Sequence, residues 1–122
     1  MARLMVVDDS RFMRLRLSRM LEAQGHEVVL VDDGRHATTA YTTHQPDAVL
    51  MDVVMPGLDG LSALRALRQL DPSARVLMVS TMAQRHIVDQ ALEAGAVAFV
   101  IKPVSTERLL DAIEQALDAT GP

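Results

Sequence analysis

Leu4-Met5-Val6-Val7-Asp8-Asp9-Ser10 joins an unbroken apolar run to two acids and a hydroxyl. A half-exposed strand alternates apolar and polar residues, so an unbroken run reads as a strand buried on both faces. The pattern recurs along the chain. Apolar runs at 28–31, 48–51, 76–79 and 97–101 are followed by Asp32-Asp33, Asp52, Ser80-Thr81 and Lys102-Pro103.

Between these runs the apolar period lengthens to that of a helix. Met13, Leu17, Met20 and Leu21 make one stripe, which Gly25 ends. A second helix is expected over 34–44, with Ala37, Ala40, Tyr41 and His44 on one face. Its four threonines, Thr38, Thr39, Thr42 and Thr43, are poor helix formers. The third is expected over 61–70, before Asp71-Pro72, and the fourth over 84–94, before Gly95. The fifth is expected over 106–119, with Leu109, Ile113, Ala116 and Leu117 on its buried stripe. Strand then helix, five times over, predicts an α/β fold with a parallel sheet. Right-handed crossovers place helices on both faces. Five strands are too few for an eight-stranded barrel, so the sheet is expected to be open and doubly wound.

Composition narrows the function classes. The 122 residues suit one domain, which buries roughly two-thirds of its unfolded surface. No linker or repeat interrupts them. There is no cysteine, so neither disulfides nor thiolate metal sites are available. A net charge of −4 argues against nucleic-acid binding. The three aromatics, Phe12, Tyr41 and Phe99, are too few for base-stacking platforms. No apolar run approaches the ~20 residues of a membrane span, and the amino end leaves no room for a signal peptide. A cytoplasmic protein is expected. The basic residues are lopsided, with eleven arginines and a single lysine, Lys102.

Ligands of an open parallel sheet bind beyond the carboxyl ends of its strands. Asp8, Asp9, Asp52, Ser80 and Lys102 all fall there. If the first and third strands pair, three carboxylates crowd together and require a cation. Hard oxygen donors without nearby histidine or cysteine suit Mg²⁺ or Mn²⁺ rather than zinc. A single strand-end aspartate is as well explained by a cap or a turn. Asp9-Ser10 looks like a helix start and Asp32-Asp33-Gly34 like a turn; the five residues together point to a site. His26, His36, His44 and His86 show no metal-ligand spacing.

Residues 5–10 resemble the opening of a response-regulator receiver domain of the CheY-like kind. Asp52-Val53-Val54-Met55-Pro56-Gly57-Leu58-Asp59-Gly60 is similar to the family's phosphoacceptor strand end and following loop. Val79-Ser80 and Ile101-Lys102-Pro103 match its other two motifs. The resemblance spans residues 1–122 as a single receiver domain, with no output domain in this chain. It implies a flavodoxin-like (βα)5 sheet of order 2-1-3-4-5, the order shared by flavodoxin and CheY.

The resemblance also implies roles. Asp52 is the phosphoacceptor. Asp9 ligates Mg²⁺ (or Mn²⁺) directly, Asp8 mainly through water, and the Val54 carbonyl adds another oxygen. Ser80 bonds a phosphoryl oxygen after transfer, and Lys102 pairs with Asp52 and then with the phosphoryl group. Phe99 matches the aromatic that turns inward on activation, and the Lys102-Pro103 bond is expected to be cis. The partners implied are a histidine kinase or histidine phosphotransfer protein and a downstream target. The target binds the face made by the fourth helix, fifth strand and fifth helix. Such a domain is a phosphoacceptor switch of two-component signalling rather than an enzyme.

Val54 and Met82 are apolar where the family tunes attack by water, and Thr81 is bulkier than usual. Arg11, Arg14, Arg16 and Arg19 read as a solvated helix face, or as a docking surface for the phosphodonor. The loop 80–84 tilts the reading towards a chemotaxis-like regulator. A Mg²⁺-dependent phosphatase of haloacid-dehalogenase type is the alternative, but it needs an Asp-x-Asp motif where Asp8-Asp9-Ser10 stands. A flavodoxin-like electron carrier would need a phosphate-binding loop after the first strand.

Overall fold

All five apolar runs are strands: β1 (Arg3–Val7), β2 (Glu27–Val31), β3 (Ala48–Met51), β4 (Val76–Ser80) and β5 (Ala98–Ile101). They alternate with helices α1 (Arg11–Ala23), α2 (Ala37–His44), α3 (Gly60–Leu70), α4 (Arg85–Glu93) and α5 (Thr106–Asp118). The computed structural model describes residues 1–82 and 84–118. The sheet is parallel throughout, in the order β2-β1-β3-β4-β5 expected from the sequence.

Successive strand residues point to opposite faces, and each face has its own core. Met5, Val7, Val49, Met51, Val76 and Met78 pack with Ala37, Leu64, Leu67 and Ala91 of α2, α3 and α4. Leu4, Val6, Leu50, Leu77, Val79 and Val100 pack with Leu17 and Leu21 of α1 and Leu109 and Ile113 of α5. Each such fully buried leucine contributes about 1.5–3 kcal/mol. The edge strands depart from the expectation of burial on both faces. Leu30 of β2 is 40% exposed and Ile101 of β5 53%. An apolar run does not reveal whether its strand has a neighbour on each side.

Helix starts follow local capping chemistry. Ser10 accepts a hydrogen bond from the Met13 amide, and Asp59 one from the Ser62 amide at 2.9 Å. The second helix differs from expectation. Its first turn, Gly34–His36, is a 3-10 turn, with the His36 amide donating to Asp33 O at 3.0 Å and the Asp33 side chain capping it through the Arg35 amide. The α-helical part then survives its threonines through tertiary anchors. Ala37 is buried, and the Tyr41 hydroxyl donates to Asp71 Oδ2 at 2.7 Å. His44, grouped with Ala37, Ala40 and Tyr41 on one face, is exposed. Gln45 ends the helix in the left-handed conformation, φ 46°. α4 starts one residue later than expected. Residue 119 of the expected fifth helix lies outside the described residues. The Lys102-Pro103 bond is cis, as expected. No helix among the described residues is long and apolar enough to cross a membrane.

Candidate functional site

The backbone ladder continues one residue beyond three strands. The Asp8 amide donates to Val31 O at 3.1 Å, Asp52 to Val7 O at 3.0 Å, and Lys102 to Ser80 O at 2.9 Å. The chemistry-bearing residues are therefore held by the sheet although they stand at its rim. Asp8 is fixed twice more: Oδ1 accepts from the Ser10 amide at 2.9 Å, and its carbonyl accepts from Arg14 Nη1 at 2.7 Å. Behind Asp52 the chain returns so closely that a Cβ on Gly60 would sit 1.9 Å from the Asp52 carbonyl oxygen. The Gly60 amide closes that loop on Val53 O at 2.7 Å.

Lys102 reaches the cluster from β5. Its ammonium lies 2.8 Å from Asp8 Oδ2 and 3.2 Å from Asp52 Oδ2. The three side chains are only 10%, 3% and 12% exposed, so these pairs are shielded from water. Burial alone would lower the lysine pKa. The hydrogen bond to Asp8 and the charges of Asp52 and Asp8 outweigh it and hold the ammonium above its ordinary value. Asp9 is exposed, yet it offers an oxygen within 4.8 Å of oxygens on Asp8 and Asp52. Asp52 Oδ1 accepts weakly from the Val54 amide at 3.3 Å.

Ser80 is fully buried at the end of β4, and its Oγ accepts from the Met82 amide at 3.1 Å. Asp8, Asp9, Asp52, Thr81 and Lys102 open onto a cleft of about 390 Å³ whose far wall includes Met13, Leu17, Met20 and Val104. A larger depression of about 620 Å³, beside Ser62, Arg65 and Ala94, shares none of these residues. Three carboxylates against one ammonium leave excess negative charge among hard oxygen donors. That donor set fits a divalent Mg²⁺ or Mn²⁺ ion.

Asp8, Asp9, Asp52 and Lys102 thus come together, with the Val54 amide beside Asp52, while the Ser80 hydroxyl bonds the Met82 amide instead. Phe99 stands apart on β5, opposite Met78, half-buried against the core on the α2, α3 and α4 side. Val54 is 52% exposed on the loop after β3. Asp33 and Gly34 form the expected turn, and Asp32 is exposed. Arg14 is not part of a merely solvated face, since it holds the Asp8 backbone. Three relationships were not visible in the sequence: the closeness of Lys102 to Asp8, the Arg14 contact and the tight approach at Gly60. For Gly60 a signal existed, because glycine opening a helix is locally unfavourable and calls for a packing reason. Ala83, in the loop expected to tune the chemistry, lies outside the described residues.

A doubly wound sheet with clustered aspartates and one lysine at its carboxyl edge defines a class of small α/β proteins with an acidic, cation-type site. The model of the response regulator receiver domain matches residues 4–114, and the chain belongs to that family. It is 41% identical to the chemotaxis protein CheY of Bacillus subtilis over 117 residues, 95% of this chain and 98% of that one. Among solved structures it is similar to a LuxR-family two-component response regulator from Aurantimonas sp. SI85-9A1. There the TM-score is 0.91 at 36% identity, covering 96% of this chain and 85% of that one. It is also similar to a chain of the CheX-CheY-BeF3-Mg²⁺ complex from Borrelia burgdorferi. That match has a TM-score of 0.88 at 30% identity, covering 91% of this chain and 85% of that one. Receiver domains are signalling domains rather than enzymes in the ordinary sense.

Proposed function

We propose that this receiver domain is a phosphorylation-activated switch whose phosphoacceptor is Asp52. The observation that carries the reading is the position of Lys102. The chain's single lysine bridges Asp8 and Asp52 from a strand on the far side of the sheet. A carboxylate oxygen of Asp52 attacks the phosphorus of a phosphohistidine, the P–N bond breaks, and an acyl phosphate forms. Charge then spreads over the phosphoryl oxygens. Lys102, a compact point charge, follows one of them. Asp8, Asp9, Asp52 and the Val54 carbonyl would hold Mg²⁺ (or Mn²⁺), which when bound neutralises that charge. The cation is expected to be held directly by Asp9 and mainly through water by Asp8.

Among the described residues the Ser80 side chain has one bond, from the Met82 amide, which leaves it able to turn to a phosphoryl oxygen. That movement draws the loop after β4 inward, and Phe99 follows into the space beside it. The face of α4, β5 and α5 changes shape and selects a downstream protein. The donor is a histidine kinase or histidine phosphotransfer protein, and the role is chemotaxis-like, by analogy with the CheY relatives. Residues 1–122 act as one receiver unit in the cytoplasm, without direct contact with nucleic acid or membrane. Family membership and the absence of an Asp-x-Asp motif favour the switch over the phosphatase alternative.

The test is incubation with acetyl phosphate or beryllofluoride plus Mg²⁺, read by mass and by amide chemical shifts. Wild type is expected to take up one phosphoryl group and to shift signals near Ser80 and Phe99. Asp52→Asn is expected to do neither. Normal labelling of Asp52→Asn would overturn the assignment.

A further inference from the structure

Two adjacent residues of the turn after β2 press on the loop after β3. Gly34 is buried, and a Cβ there would lie 2.4 Å from the Leu58 carbonyl oxygen and 3.2 Å from the Met55 methyl. Arg35 lies across Gly57, where a Cβ would meet its Nε at 2.8 Å. Gly57 also has φ +82°, so space and conformation both call for glycine. Asp33 holds the arginine in place. Its Oδ2 accepts from Arg35 Nη2 at 2.6 Å, and both its oxygens lie 3.1 Å from Nε. The same carboxylate accepts from the Arg35 amide at 2.8 Å, so backbone and side chain are aimed together. These bonds push the Asp33 carboxyl down to about 2.

The loop itself is weakly anchored near its start. Val54, Pro56 and Gly57 are exposed, and among the described residues the Val54 amide has only its long bond to Asp52. Met55, the next residue, is buried under Gly34. The turn after β2 therefore adds a constraint at Met55, Gly57 and Leu58 to the Gly60–Val53 hydrogen bond that closes the loop. The Arg35 side chain is 66% exposed, and exposed pairs add little to global stability. Its effect is local.

We propose that Arg35, aimed by Asp33, is a positioning residue that lies across Gly57 and restrains the β3–α3 loop, and with it the Val54 carbonyl. The proposal rests on the reading of Asp8, Asp9, Asp52 and Val54 as the cation site. It assigns the Asp33-Gly34-Arg35 turn, otherwise an ordinary strand-to-helix connection, a share in shaping that site.

Two variants test it. Arg35→Ala removes the strap, and Asp33→Asn keeps an acceptor for the turn while removing the charge that aims the guanidinium. Three measurements apply to each: the thermal midpoint, amide hydrogen exchange of residues 54–58 without metal, and Mn²⁺ affinity from the EPR signal of the free ion. Both variants are expected to keep the wild-type midpoint, to exchange the loop amides several-fold faster, and to bind Mn²⁺ up to about tenfold more weakly, at the low end of outer-shell effects. Arg35→Lys keeps the charge without the fork and is expected to restore the affinity only in part. Unchanged exchange and affinity in both variants would overturn the proposal. So would an affinity loss matched by a falling midpoint, which marks a merely structural role. Asp9→Asn separates the underlying reading. If it binds Mn²⁺ as wild type does, the cation site itself is wrong, whereas the exchange data still judge the hold of Arg35 on the loop.

Discussion

The ammonium of Lys102 is bound by Asp8 at 2.8 Å, across 94 residues of sequence. Asp52 takes the second, longer contact at 3.2 Å. The lysine is thus anchored on a residue other than the proposed phosphoacceptor, and Asp52 keeps an oxygen free of it. Removing the ammonium leaves two shielded carboxylates facing each other. Lys102→Met is expected to lower the metal-free unfolding free energy by about 3 kcal/mol, the lower end for a broken buried pair. Mg²⁺ should restore much of that loss. Urea unfolding with and without Mg²⁺ measures both. Lys102→Arg should keep the fold and still impair the beryllofluoride response, because a planar fork does not replace a compact point charge.

Tyr41 gives a pH-dependent stability that can be isolated. Burial first, and then the hydrogen bond to Asp71, push its phenol up to about 12. A phenol whose folded pKa exceeds its unfolded value near 10 contributes stability that is complete below pH 10. That stability is lost as the pH rises from about 10 to about 12. Tyr41→Phe should cost about 1 kcal/mol at neutral pH and should remove this part of the alkaline loss. The difference in melting temperature between the two proteins, followed from pH 9 upwards, measures it. Tyr41 is the only tyrosine and there is no tryptophan, so phenolate absorbance reports its titration directly.

Arg11 and Arg14 should behave differently although they share a helix. Arg14 holds the Asp8 carbonyl, whereas Arg11 is exposed. Arg14→Glu is expected to slow phosphorylation from acetyl phosphate as well as from a protein donor. Arg11→Glu is expected to slow only the protein donor, several-fold. Equal effects of Arg11→Glu on both donors, relative to wild type, would remove docking from its role.

Gly60→Ala is expected to destabilise by about 3 kcal/mol or more, beyond its helix propensity, which by itself favours alanine. The added methyl has no flexible side chain to displace; it meets the Asp52 carbonyl and the Val53 backbone. Denaturant midpoints of Gly60→Ala and Gly57→Ala compare a steric block with a strained φ.

Much of this was legible beforehand because parallel sheets write themselves in the chain. Buried strands are unbroken apolar runs, and the residue after each run lies at the rim where ligands bind. That logic led to Asp8, Asp52, Ser80 and Lys102 without coordinates. The apolar runs alone do not order the strands, since strand order is a long-range property; the edge places of β2 and β5 came from the family resemblance and agree with the structure. Nor did the runs place Arg14, which bonds a backbone carbonyl, or Arg35, which Asp33 holds across a glycine; a carbonyl or a glycine leaves no side-chain signature. The first turn of the second helix departs from the expected α-helix, and Asp33 both turns the chain there and caps the 3-10 turn through the Arg35 amide.

The ladder that extends one residue past β1, β3 and β5 has an evolutionary consequence. Strand side chains alternate, so a single inserted residue in any of these strands would rotate its aspartate or lysine to the opposite face. At the other end of the sheet, the turns around Gly25 and Gln45 carry none of the clustered residues. Length changes should therefore accumulate among relatives at the amino ends of the strands and be almost forbidden at the carboxyl ends. One end of the sheet is open to tinkering, and the other admits substitution without insertion.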